Sequence, residues 1–279
     1  MCIFKGEGFN DYMNQLRFYI YIVLAIFSNA CDDAKQNVTV VSPTPAPVVI
    51  LVSPPFAGTI FLDPNIITKD DPTSFKSLIA TGQGSRLMFD RRVNNWTTVN
   101  AFLFLVTFDD GLSTEVQVNP EFITSELAQV EAQKYAVEIG RLPKSLRKNV
   151  ETVWIHKGVQ PFGGENKNIL IHIGQADLYV RDGILEETLV HEASHTSLDA
   201  THAASSGWVD AQRKDPTFIS TYARDNPTRE DLAETFLLYL AVTHRKDRIS
   251  SALEKTVTAT IPNRINYLNS QSWDLHPFK

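Results

Sequence analysis

Two kinds of apolar pattern divide this chain. Between residues 57 and 120 the apolar side chains come in short runs broken by turn signals. Thr59-Ile60-Phe61-Leu62 is one such run, ended by Asp63-Pro64, and residues 100–108 (NAFLFLVTF) are the longest. Asp109-Asp110-Gly111 then predicts a hairpin turn, and Thr114-Glu115-Val116-Gln117-Val118 alternates as the returning strand. Beyond residue 120 the spacing turns helical in places. Residues 125–138 repeat apolar side chains at Leu127, Val130, Ala132, Tyr135 and Val137, with Gly140 and Pro143 to end the helix. Two short strands follow, at 150–155 and 168–173, with Pro161-Phe162-Gly163-Gly164 as the loop between them. Asp182 is placed to cap the next helix, which carries Leu185, Leu189 and Ala193 as its apolar stripe and runs to about Ala200. A further helix opens at Asn226-Pro227 or at Thr228, and another covers part of 248–257, with Trp273 anchoring the tail. The pattern predicts an α+β fold. Residues 57–120 form a β-rich subdomain or the upper sheet of the second half, and residues 121–279 form the main domain.

The N-terminal stretch has a different character. Residues 18–27 (FYIYIVLAIF) are an apolar run preceded by Arg17 and followed by Ser28-Asn29-Ala30-Cys31. Ten residues suit the core of a signal peptide better than a membrane span. Small residues at Ser28 and Ala30 fit cleavage before Cys31, so residues 1–30 are expected to direct export. A run ending in Cys also resembles a lipoprotein signal, with Ser28 where that pattern has Leu. The expected location is therefore outside the cytoplasm, either secreted or held to a membrane by a lipid on Cys31. Residues 31–56 hold Pro43, Pro45, Pro47, Pro54 and Pro55 and read as an extended linker.

Composition narrows the chemistry. A net charge of −6 without a basic block argues against a nucleic-acid surface. The only cysteines are Cys2 and Cys31, so the body after residue 31 has neither a disulfide framework nor a thiol for catalysis or metal binding.

The residues that carry chemistry are His191-Glu192-Ala193-Ser194-His195. On a helix, residues four apart share a face, so both imidazoles reach one metal ion. Glu192 then sits within reach of a water at that metal, the pattern of zinc hydrolases. A third protein ligand is still required. The metzincin spacing is absent, because Leu198 and Thr201 stand where it has Gly and His. Asp199, His202, Glu230 and Glu234 are the candidates. Glu230 and Glu234 are four apart, on a face that continues through Leu237 and Ala241, so both carboxylates point inward and need a counter-charge. Asp90-Arg91-Arg92 is read as a solvated or salt-bridged patch rather than a substrate clamp, and His156 and His172 as structural histidines.

With His191, Glu192, His195, Glu230 and Glu234 quoted, the region around 183–245 resembles the gluzincin metallopeptidases, and among them the catalytic domains of the anthrax lethal factor-like peptidases. Those also place a Tyr shortly before a Glu-x-x-x-Glu helix, as Tyr222 stands here. The resemblance implies a zincin-like metalloprotease domain holding Zn2+ through His191, His195 and Glu230, with Glu234 hydrogen-bonded to a ligating histidine. It implies hydrolysis of a peptide or protein substrate, with Glu192 as general base and Tyr222 as donor to the oxyanion. The alternative is a zinc-binding zincin fold without protease activity, serving as a binding module. For the substrate edge, the strand at 168–173 is the expected one.

Overall fold

The computed structural model describes residues 52–278. The expected signal segment, Cys31 and most of the proline-rich linker lie outside the described residues. The end of that linker is not free, however. Phe56 forms a bridge with Ser220, and its carbonyl accepts the Thr221 N–H at 2.9 Å.

Six strands form one sheet in the order β1-β2-β3-β4-β6-β5. These are β1 (Phe75–Asp90), β2 (Asn95–Phe108), β3 (Ser113–Val118), β4 (Thr152–His156), β5 (Gly163–Glu165) and β6 (Asn168–His172). The first three run antiparallel, whereas β4 joins β3 in parallel and β6 joins β4 in parallel. The β2–turn–β3 hairpin lies where the alternation predicts it, because Phe102, Phe104, Val106, Val116 and Val118 are all buried. Since both halves contribute strands to one sheet, residue 120 divides no structure.

Two strand expectations are corrected. Residues 59–62 form no strand, and the long partner of β2 is β1 instead. Half of β1 is exposed, including an unbroken run over residues 79–83, it bulges at Ala80/Gly82, and Gly82 has φ +102°, so its first half lacks the alternation of a half-buried strand. Its state comes from pairing with β2 rather than from its own pattern. Second, β6 is not an edge. It lies between β4 and β5 with all five residues buried, and the edge belongs to β5, whose Gly163-Gly164-Glu165 reads as loop.

Nine α-helices occur among the described residues. They are α1 (Ser125–Gly140), α2 (Lys144–Arg147), α3 (Ile173–Asp182), α4 (Leu185–His202), α5 (Ser206–Lys214), α6 (Thr221–Asp225), α7 (Asp231–His244), α8 (Ser251–Thr260) and α9 (Pro262–Asn269). Thr124 caps α1 by accepting the Leu127 N–H. The buried face of α1 is Ala128, Ala132, Tyr135, Ala136 and Ile139, while Leu127 and Val130 of the expected stripe are exposed. Small alanines let α1 sit close to the sheet, which a scan for large apolar residues overlooks.

Asp182 does not cap the motif helix. It ends α3, which leaves β6 directly and stops at Gly183 in the left-handed conformation (φ 71°). Helix α4 follows at once, with Ile184 at its cap position and no side-chain cap bond. Helix α7 is buried at every position from Asp231 to Val242, as a helix wrapped on all sides must be, and it packs against α4. One apolar cluster runs from Phe104 of β2 through Leu189 of α4 to Phe236 of α7. A second, small cluster of Met88, Ala101 and Leu103, with Trp154 against it, joins the β1–β2 hairpin to β4. In the tail, Trp273 packs on the main cluster and donates to the Leu268 carbonyl at 2.8 Å.

Candidate metal centre

His191 and His195 lie one turn apart on α4, and Glu230 immediately precedes α7. The packing of α4 on α7 brings the three together. The two Nε2 atoms are 3.1 Å apart, and Glu230 Oε2 lies 3.3 Å from His191 Nε2 and 3.2 Å from His195 Nε2. Tetrahedral ligands on bonds near 2.0–2.1 Å sit about 3.3 Å from one another. The three atoms therefore already hold the spacing of a tetrahedral site, and two imidazoles, a carboxylate and one remaining position are the donor set that suits a divalent cation such as zinc.

Carboxylates stand at the outer nitrogens as well. His195 Nδ1 is hydrogen-bonded to Asp199 Oδ2 at 2.8 Å, while Glu234 Oε1 lies behind His191 Nδ1 at 3.6 Å, beyond hydrogen-bond distance. The Asp199 carboxylate favours the proton on His195 Nδ1, which turns its Nε2 lone pair toward the common point. Glu234 is itself fixed, since its Oε2 accepts the Ser220 hydroxyl at 2.9 Å and the Ile60 N–H at 3.0 Å. Of the alternative ligands, Asp199 thus stands behind His195, and Glu234 stands behind His191. His202 is elsewhere, bonded to the Tyr267 hydroxyl at 2.7 Å. The role of Asp199 could have been read from its i+4 spacing to His195.

Charge accumulates at this point. Burial works to raise the Glu230 carboxyl, but the hydrogen bonds to His191 and His195 outweigh it and hold the group well below the usual carboxylate range. Burial likewise opposes the charged form of His195, yet Asp199 and Glu230 push its pKa up to about 10. The cluster is electron-rich and draws in positive charge, as a metal would provide.

A cleft of about 790 Å³ opens at this centre. Glu192, Tyr222, Tyr179 and Trp154 line it together with His191, His195 and Glu230. Tyr222, on α6, is 37% exposed, and burial and the neighbouring Glu230 both raise its phenol. The edge strand β5 crosses directly over the motif. A Cβ on Gly164 would lie 1.8 Å from the Glu192 carbonyl oxygen, so only glycine permits this approach.

His156 and His172 are buried and stacked at 5.3 Å, bonded to Asn119 and to the Lys157 carbonyl respectively, away from the three ligand candidates. In the Asp90-Arg91-Arg92 segment, Arg92 is salt-bridged to Asp90 and Glu121, whereas Arg91 lines the cleft. The aromatic lining, Phe89, Trp96 and Trp154, has no sequence signal, because three separate strands assemble it.

The molecule is thus a mixed α+β domain with a His/His/Glu cluster able to hold a metal ion. No protein-family model matches the chain, no curated protein matches its sequence, and no solved structure matches its fold.

Proposed function

We propose that this chain is a zinc-dependent peptidase of gluzincin type, built on a zincin-like domain. The observation that carries the reading is the convergence of His191 Nε2, His195 Nε2 and Glu230 Oε2 at 3.1–3.3 Å from one another beside an open cleft. A zinc ion bound by these residues supplies the Lewis acidity that polarises a peptide carbonyl and activates water. Glu192 takes the proton of the attacking water and passes it to the leaving amine. Tyr222 donates to the oxygen on which negative charge develops. The edge of β5 offers unpaired backbone groups along which an extended peptide lies. The substrate is a peptide or protein, and the N-terminal sequence supports export, with the chain either secreted or held to a membrane by a lipid on Cys31.

Metal analysis of the purified chain tests the centre, and Glu192→Gln tests the chemistry. The variant keeps zinc and loses about a thousandfold in hydrolysis. Zinc bound by the wild type together with no hydrolysis of any peptide supports the non-enzymatic binding module instead. Zinc that survives loss of both histidines removes the centre.

A further inference from the structure

The tip of the β1–β2 hairpin carries two adjacent arginines with opposite fates. Arg92 is fully used. It pairs with Asp90 Oδ2 at 2.7 Å and with Glu121 Oε2 at 2.6 Å, and its backbone N–H donates to Asp90 Oδ1 at 2.9 Å. Glu121 in turn accepts the Lys157 N–H at 2.7 Å. These bonds pin the hairpin tip to the body of the domain.

Arg91 makes no ion pair among the described residues. Its Nε is shielded from solvent and has no hydrogen-bond acceptor among them. The guanidinium lies over β5, where a Cβ on Gly163 would come within 2.7 Å of its Nη2. The next residue, Gly164, is the one pressed against Glu192. Arg91 and Glu192 line the same cleft. The other cation of the cleft, Arg229, is already taken, with Glu230 at 3.3 Å and Glu165 at 3.6 Å.

The wall beside Arg91 is aromatic. Phe89 and Trp96 meet edge to face at 5.5 Å, and Trp96 and Trp154 at 5.3 Å, while Trp96 remains 45% exposed. A half-buried guanidinium without a counter-charge is costly, and its planar fork matches a carboxylate with two parallel hydrogen bonds. A flanking aromatic wall displaces water and strengthens such a pair.

We infer that Arg91 is the anchor for a carboxylate of the substrate, seated against Trp96 and Trp154, so that the cleft selects peptides with a negative charge near the bond to be cut. That charge is an Asp or Glu side chain or a free C-terminus. The inference rests on the peptidase reading for the ligand being a peptide, and it adds the specificity.

The test uses the full chain loaded with zinc and carrying Glu192→Gln, so that binding is measured without turnover. The probes are acetylated, amidated eight-residue peptides of Ala and Ser with one Phe, through which Glu or Gln is scanned. A third set, without Glu, ends in a free carboxylate. Quenching of tryptophan fluorescence reports affinity. At one Glu position, or in the free-acid set, binding is about tenfold or more tighter than for the uncharged match. The arm that shows the gain identifies the source of the charge. Arg91→Gln erases the difference with zinc content and melting temperature unchanged, Arg91→Lys retains part of it, and Arg91→Glu moves the preference to Lys. Equal affinity for charged and uncharged peptides, no binding in any set, or a preference that survives Arg91→Gln overturns the anchor. Hydrolysis by the wild-type chain is scored separately. A carboxylate preference without hydrolysis sinks the peptidase reading and leaves the anchor standing.

Discussion

Glu234 reaches His191 from behind. Its Oε1 lies 3.6 Å from His191 Nδ1, while its Oε2 is tied to the N–H of Ile60, 174 residues earlier in the chain. A carboxylate so fixed faces the outer nitrogen of the imidazole at a distance that a small rotation of the ring would close to a hydrogen bond. Glu234→Gln is expected to weaken zinc affinity roughly 10–100-fold, and Glu230→Ala to lower it further. Competition with a chromophoric chelator measures both. Full zinc occupancy in Glu230→Ala with loss in Glu234→Ala reverses the two roles.

Asp199 has the same relation to His195, at 2.8 Å. Asp199→Ala leaves the three ligating side chains in place but frees the ring. Zinc affinity falls by roughly tenfold or more, and Asp199→Glu recovers part of it. An unchanged affinity would show that α4 alone orients His195.

Immediately after Glu230 comes Asp231, fully buried, with its Oδ2 2.9 Å from Nε of Arg264. Arg264 also pairs with Asp215 at 3.3 Å, and none of the three side chains reaches solvent. Arg264→Ala leaves two buried carboxylates without their cation. The expected loss is roughly 3–5 kcal/mol of stability in denaturant unfolding. A loss below about 1 kcal/mol would mean that water enters to replace the arginine.

Burial, reinforced by the nearby His172, pushes the His156 pKa down to about 4. Between pH 6.5 and 4 the unfolded chain therefore takes a proton at this position that the folded chain refuses. Stability falls as the pH falls through that window, by about 3 kcal/mol in all, and this contribution is constant below it. The slope is read from denaturant unfolding of the metal-free protein across the window. In His156→Phe it is smaller by that amount.

Gly164→Ala places a methyl group against the Glu192 backbone. The edge strand must move away from α4, since the atoms the methyl group meets are all backbone atoms of Glu192. Hydrolysis falls at least tenfold while zinc binding persists, because none of the ligands changes. Crystallography or hydrogen exchange of residues 163–165 locates the shift. Wild-type turnover in the variant would show that β5 has no part in placing substrate.

The motif and its helix were legible because their chemistry demands a fixed spacing, and Glu230 and Glu234 because two inward carboxylates need an explanation. What stayed hidden depended on other parts of the chain. β1 is a strand only through β2, and β5 is three residues that acquire meaning at the edge of β6. Helix α3 escaped because it leaves β6 without a capping side chain. Asp182, a plausible cap by type, became the end of that helix once Gly183 supplied the left-handed turn. Arg91 and Arg92 are indistinguishable in sequence, and only the fold gives one of them Asp90 and Glu121 and the other the cleft.

The single sheet also orders events in time. The hairpin tip with Phe89, Arg91 and Trp96 belongs to the early strands, whereas His191, His195 and Glu230 come far later in the chain. On a ribosome the N-terminal part emerges first. The residues proposed to recognise are therefore synthesised before those proposed to hold the metal, and the two line one cleft only when β4, β6 and β5 extend the sheet. A growing chain thus passes through a stage with part of the proposed binding wall and none of the three candidate ligands, so the hydrolytic activity proposed here arises only once α4 and the turn before α7 have been added.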